Sequence, residues 1–176
     1  MLFIHQAQYS SAILRRFGLE SCNPVRHPLP VNTSLTREVD VNTPNDTYLS
    51  VTEHNQYRAI VGSLMYLMTG TRPDIAFLCQ QLSQFLSKPT KAHMVATKHG
   101  LRYLQGTLHL GIKLGGTFDA TDQLMAYADS DYANCIDTRR CVSGYITYFR
   151  TSSISWISTK MPSDVLSTTE AEYMTI

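Results

Sequence analysis

Apolar residues recur at two different periods along this chain, and the change of period divides it. From Gln6 to Phe17, residues Tyr9, Ala12, Ile13 and Phe17 return at helical spacing and Gly18 is a natural stop, so a helix with a core-facing stripe is expected. Tyr57 to Met68 repeats the pattern through Tyr57, Ile60, Val61, Leu64, Leu67 and Met68, with Gly70 and Pro73 punctuating its end. A third helix is expected over Pro73 to Leu86, with Pro73 at a helix-start position and Ile75, Cys79, Leu82 and Leu86 along one side. Pro89 separates it from a fourth, Lys91 to Gln105, which Gly106 ends, and His109 to Leu114 suits a short strand. Beyond Gly115-Gly116 the period shortens. Leu124 to Asp129, Val142 to Phe149 and Ile154 to Ile157 are β-compatible runs. In the first of them Met125, Tyr127 and Asp129 share a face. Arg150 to Ser153 reads as a hairpin connection without the Gly of a tight two-residue turn, and Gly144 marks a close approach or a bulge. Ser167-Thr168-Thr169-Glu170 has the pattern of a capping box, so a helix is expected to begin after Ser167.

Between the first two helices, residues 23 to 50 hold four of the chain's seven prolines and many Asn and Thr residues, which reads as a linker and the natural domain boundary. The resulting plan is residues 1–22 with one helix, a loop over 23–53, a helical segment over 54–114 and a β-rich segment over 119–176. An apolar content of 43% with 16% charged residues indicates a globular chain. No run reaches the length of a membrane span, and the first residues lack the basic lead and continuous apolar stretch of a secretory signal. An intracellular setting without membrane association is therefore expected. Cys22, Cys79, Cys135 and Cys141 show no C-x-x-C spacing, which argues against a zinc ribbon or redox motif. His93 and His99 are six apart, poor ligand spacing on a helix, and read as surface or packing residues.

Charge changes the picture more than composition does. Residues 54 to 114 carry seven Lys or Arg and one acid, whereas residues 115 to 176 carry four basic and eight acidic residues. A basic segment followed by an acidic one suits a phosphate-holding part followed by a metal-binding part. On the basic side Lys91, Lys98 and Arg102 decorate the fourth helix, the last two one turn apart. On the acidic side Glu170 falls where it serves the helix cap, and Glu172 lies about 200° round the helix from it. Only one of the two faces a given neighbour. Asp131 would share the face of Asp129 if the strand ran on, although Ser130-Asp131 reads more simply as a turn.

Several motifs, in order, resemble the Pol polyproteins of copia-type LTR retrotransposons. They are Tyr127-Ala128-Asp129-Ser130-Asp131-Tyr132, Asp137-Thr138-Arg139-Arg140 with Ser143-Gly144-Tyr145, Ile154-Ser155-Trp156 with Lys160, and Ser167 through Tyr173. Upstream, Arg58 through Leu67, Thr71-Arg72-Pro73-Asp74-Ile75 and Leu101 through Thr107 match the same family, as do Gln6 to Phe17 and Pro24 to Leu29. The resemblance implies the end of a reverse transcriptase, its thumb or connection, followed by the start of a ribonuclease H domain. The expected class is then α+β: thumb-like helices, then an incomplete ribonuclease H-like fold with an antiparallel three-stranded meander and the start of its first helix. It also implies catalytic and metal-binding roles for Asp129 and Glu172, Asp131 as a further ligand, Mg²⁺ as the cofactor, and an RNA–DNA hybrid and the remainder of the polyprotein as partners. The paired aspartates of a polymerase site do not occur, and the family's further aspartate after the first helix does not either. The implied activity is cleavage of RNA in hybrids in a longer context, with this chain inactive by itself. The alternative is a non-catalytic nucleic-acid-binding module using Lys91, Lys98 and Arg102.

Overall fold

The computed structural model describes residues 1–30, 33, 35–37, 47–115, 124–131, 137 and 140–161. It is a mixed α+β chain in two units, one of Gln6–Leu110, the other of Met1–His5 with the described residues from Gly111 onward.

The helical unit contains α1 (Ala7–Arg16), α2 (Val51–Gly70), a 3₁₀ turn (Pro73–Ile75), α3 (Ala76–Ser83) and α4 (Lys91–Gly106). Helix α2 begins six residues before the stripe that announces it. Ser50 and Glu53 form a capping box: the Glu53 N–H donates to Ser50 Oγ at 3.4 Å and the Ser50 N–H to Glu53 Oε2 at 2.9 Å. Helix α4 is capped in the same manner by Thr90 and His93, with the Thr90 N–H donating to His93 Nδ1 at 2.8 Å. Tyr57, Ile60, Val61, Leu64 and Leu67 of α2 are fully buried and meet Ile75, Leu78, Cys79 and Leu82, Leu101 and Leu104 of α4, and Ile13 and Leu14 of α1 in one core. On α1 the stripe is rotated from the expected one. Ser10, Ile13 and Leu14 are buried, while Tyr9 and Ala12 face outward.

The third helix is also shorter than its apolar pattern. It ends at Ser83; beyond it the Phe85 N–H donates to Leu82 O at 3.2 Å and the Phe85 ring stacks on His93, centroids 3.9 Å apart. Helices α2 and α4 start side by side, because Tyr48 bridges Thr90, the Leu49 N–H donates to Pro89 O at 3.1 Å and the Lys91 N–H to Thr47 O at 2.9 Å. They also finish side by side, so they run in the same sense. At that end the buried Arg72 guanidinium forks onto Asp74, with Nη2 2.7 Å from Oδ2 and Nε 2.9 Å from Oδ1. It also donates to Thr107 O at 3.0 Å and Thr107 Oγ1 at 2.7 Å. A cation set beneath the last carbonyls of α4 offsets the negative end of its dipole.

The second unit holds β1 (Leu2–His5) paired antiparallel with β2 (Gly111–Leu114), and a meander of β3 (Leu124–Asp131), β4 (Val142–Phe149) and β5 (Ser152–Lys160) in that order. Strand β1 is absent from the expected plan. Strand β3 does not turn at Ser130; its ladder runs on to Asp131 opposite Val142. The β4–β5 connection is a two-residue turn, Arg150-Thr151, tighter than the expected one. Arg150 takes the left-handed conformation, φ 58°, that a Gly usually supplies. The irregularity sits between Thr147 and Tyr148, where the ladder passes over Ile154. Gly144 is a close approach instead: a Cβ there would lie 3.3 Å from Ile157 O.

Candidate functional sites

The acidic site starts from Asp129 in β3. Its carboxylate is exposed, and Oδ1 accepts the Ser130 N–H at 2.9 Å. Its cross-strand partner is Gly144, which has no side chain to crowd it. Asp131 occupies the alternate position along the same strand. Glu172 and the capping box at Ser167–Glu170 lie outside the described residues. Among the described residues no three His, Cys, Asp or Glu side chains come together as a metal-binding group. Tyr127, two residues before Asp129, packs edge-on to Tyr148 with centroids 6.1 Å apart.

The basic candidates on α4 divide in two. Lys91 and Lys98 are exposed with Val95 between them, 68% exposed. Arg102 already works within the fold, its Nε donating to Asn23 O at 2.8 Å. With His99 Nε2 against His27 O at 3.0 Å and Gln105 Nε2 donating to Glu20 O at 2.9 Å, it straps the chain after α1 along α4. Glu53 lies near the lysines. The hydrogen bonds from Ser50 hold its carboxyl below the usual range, helped by the fields of Lys91 and Lys98. His93 is a buried packing and capping residue, and burial, with Asp74 nearby, pushes the Cys79 thiol up to about 12. That value leaves Cys79 a thiol, not a nucleophile.

A second feature of the helical unit was not singled out by charge or spacing. On the outer face of α2, Arg58, Gly62 and Tyr66 follow one another at one-turn intervals, and all three are exposed. Gly62 sits mid-helix, where it costs about 1 kcal/mol relative to Ala. Nothing lies within 4 Å of where its Cβ would be, whereas a Cβ at Gly100 of α4 would collide with Leu78. Packing therefore explains Gly100 and leaves Gly62 unexplained. Tyr66, 60% exposed, meets Tyr9 of α1 edge-on at 4.9 Å and 71°. The legible signal was the glycine inside an otherwise strong helical pattern.

The chain has relatives among known proteins. The chain is 38% identical over 173 residues to the "Retrovirus-related Pol polyprotein from transposon TNT 1-94" of Nicotiana tabacum, covering 98% of this chain and 13% of that protein. It is 38% identical over 177 residues to the "Retrovirus-related Pol polyprotein from transposon RE2" of Arabidopsis thaliana, covering 99% of this chain and 11% of the relative. A shorter relative, "Uncharacterized mitochondrial protein AtMg00810" of Arabidopsis thaliana, is 35% identical over 173 residues, 98% of this chain and 67% of its own length. The chain thus spans only about an eighth or less of the two polyproteins it matches. No family model matches it, and no solved structure does.

Proposed function

Because this chain belongs to the copia-type family of retrovirus-related Pol polyproteins, we propose that it is the junction of such a polyprotein. Residues 1 to about 114 correspond to the end of a reverse transcriptase and residues 119–176 to the start of a ribonuclease H domain. The helical unit then holds a nucleic-acid duplex through the outer face of α2. The observation that carries this reading is Gly62: an open stretch of helix backbone with a cation one turn before it and an aromatic ring one turn after. Such a ridge is smooth and convex. It suits the wide, shallow minor groove of an A-like duplex, with Arg58 toward phosphate and Tyr66 toward sugar and base edges. The basic balance of residues 54 to 114 supports the same partner, and Lys91 and Lys98 offer a further phosphate-facing surface on α4.

The test is fluorescence anisotropy with a short RNA–DNA hybrid at several salt concentrations. Binding should weaken steeply with salt. Gly62→Ala should stabilise the fold by about 1 kcal/mol and still weaken binding severalfold. A Gly62→Ala protein that binds as well as the parent would sink the reading.

For the acidic site, Asp129 and Glu172, with Asp131, are the residues that would hold Mg²⁺. The open position of Asp129 opposite Gly144 suits a hard-cation ligand. The ion supplies a Lewis acid and an activated water for hydrolysis of the RNA strand when bound. Two-metal hydrolysis draws on several carboxylates, so in this reading hybrid cleavage takes place within a longer polyprotein that brings further ligands to Asp129 and Glu172. Hybrid cleavage by this chain alone in Mg²⁺ would overturn that dependence on a longer polyprotein, and its loss on Asp129→Asn would still support Asp129 as a ligand.

A further inference from the structure

Gln6 occupies the N-cap of α1 yet does nothing for its own helix. N-caps favour short side chains whose oxygen reaches back to the first-turn N–H groups, and the Gln6 side chain makes no such bond. It reaches across to the end of α2 instead, where Gln6 Oε1 accepts from Thr71 Oγ1 at 2.9 Å. The seat it takes exists only because residue 70 is glycine: a Cβ on Gly70 would stand 2.6 Å from Gln6 Oε1. One turn further along α1 comes Tyr9, and one turn back along α2 comes Tyr66, the two rings that meet edge-on. Gln6 against Gly70 and Tyr9 against Tyr66 are successive rungs of one antiparallel contact between α1 and α2. Tyr9 stays 37% exposed, so the contact leaves part of its ring open to a ligand.

We propose that Tyr9 is a second aromatic contact of the duplex-binding face of α2, and that Gln6, seated on Gly70, is the positioning residue that sets it beside Tyr66. The inference rests on the reading of that face as a nucleic-acid surface. The paired rings extend the strip of Arg58, Gly62 and Tyr66 sideways onto α1. They offer two ring edges and two hydroxyls to the sugars and base edges of a duplex.

The experiment is a double-variant cycle on the full chain, read by anisotropy with the RNA–DNA hybrid and, as a separate arm, with single-stranded RNA of the same sequence. Tyr9→Leu should weaken hybrid binding roughly fivefold or more, and Gln6→Ala should do much the same. In the Tyr9→Leu background, Gln6→Ala should have no further effect, since its action runs through that ring. Gly70→Ala should mimic Gln6→Ala by displacing the amide. A purely structural Gln6 would lower the melting temperature and weaken binding equally with or without Tyr9, and that result would overturn the proposal. So would unchanged affinity in Tyr9→Leu, or an effect confined to single-stranded RNA. The positioning half has a readout that needs no nucleic acid, the Tyr9–Tyr66 ring-to-ring NOE. It should be lost in Gln6→Ala, and its persistence would refute the assignment even if the parent bound no duplex at all. Absence of hybrid binding by the parent with the NOE lost on Gln6→Ala would instead refute the duplex reading and, with it, the ligand role of Tyr9.

Discussion

The helical unit and the sheet unit differ in how they dispose of apolar surface. In the first, residues from all four helices converge on one continuous core with Tyr57, Leu64, Leu67, Leu78 and Leu101 fully buried. In the second, the buried cluster among the described residues is Cys141 with Met161, while Leu124, Tyr127, Phe149 and Ile154 stay largely exposed on their strands. Helices bury one another along their apolar faces. A three-stranded meander has two faces, and hydrogen bonds between its strands cover neither. Stability should therefore concentrate in the helices, with the sheet held chiefly by its ladder.

The change expected to break this contrast most severely is Arg72→Ala. It empties the site of a fully buried side chain and removes its bonds to Asp74 and Thr107, a loss of about 3–5 kcal/mol in all. Urea melts followed at 222 nm should show the loss, and a midpoint near that of the parent would mean the network contributes little. Next, Leu64→Ala should cost about 2–5 kcal/mol in the same assay. Ile154→Ala, at a residue 54% exposed on β5, should cost under about 1 kcal/mol. Equal effects would erase the distinction between the two units. A milder change sharpens it from the other side: Arg150→Gly relieves a left-handed turn and should stabilise the sheet by about 1 kcal/mol. The chain's single tryptophan, Trp156, lies in β5, so its fluorescence reports the sheet specifically. A shift seen at 222 nm but not by Trp156 would contradict the assignment.

The smallest effect is a pH dependence. The folded-state pKa of Glu53 lies below its ordinary value because of the Ser50 hydrogen bonds. The unfolded state therefore binds the proton more tightly, and the capping box contributes fully above the ordinary carboxylate pKa. Its contribution fades as pH falls through the folded value. Ser50→Ala should flatten that acid limb of the stability profile, and an unchanged limb would show that another group sets it.

Legibility in the sequence followed the range of the interaction. The buried stripe of α2, the extent of α4 and the three strands of the meander lie close to where the sequence pattern puts them, because side-chain spacing along one element is a local property. The α2 cap was equally local, as Ser50-x-x-Glu53, and only its distance from the first buried residue hid it. The fork of Arg72 was written as a motif but not as a contact, since Thr107 lies 35 residues away. The rotation of α1 escaped for a related reason: Tyr9 fits an apolar stripe, and only Tyr66 across the interface decides that it faces out.

The acidic site divides along the same line. That Asp129 and Asp131 alternate along a strand depends on whether the chain turns at Ser130, and the ladder to β4 settled it in favour of extension. Sequence alone determined the approximate places of the four helices, of β2 and of the three meander strands, the basic-to-acidic switch along the chain, and the family. Tertiary structure decided that β1 pairs with β2, that Arg102 Nε joins the strap along α4, and that Gly62 is open while Gly100 is packed. The physical reason is that helical periodicity and caps are read from neighbours a few residues away. Exposure, pairing and the partner of a buried charge depend on residues the chain brings together only when it folds.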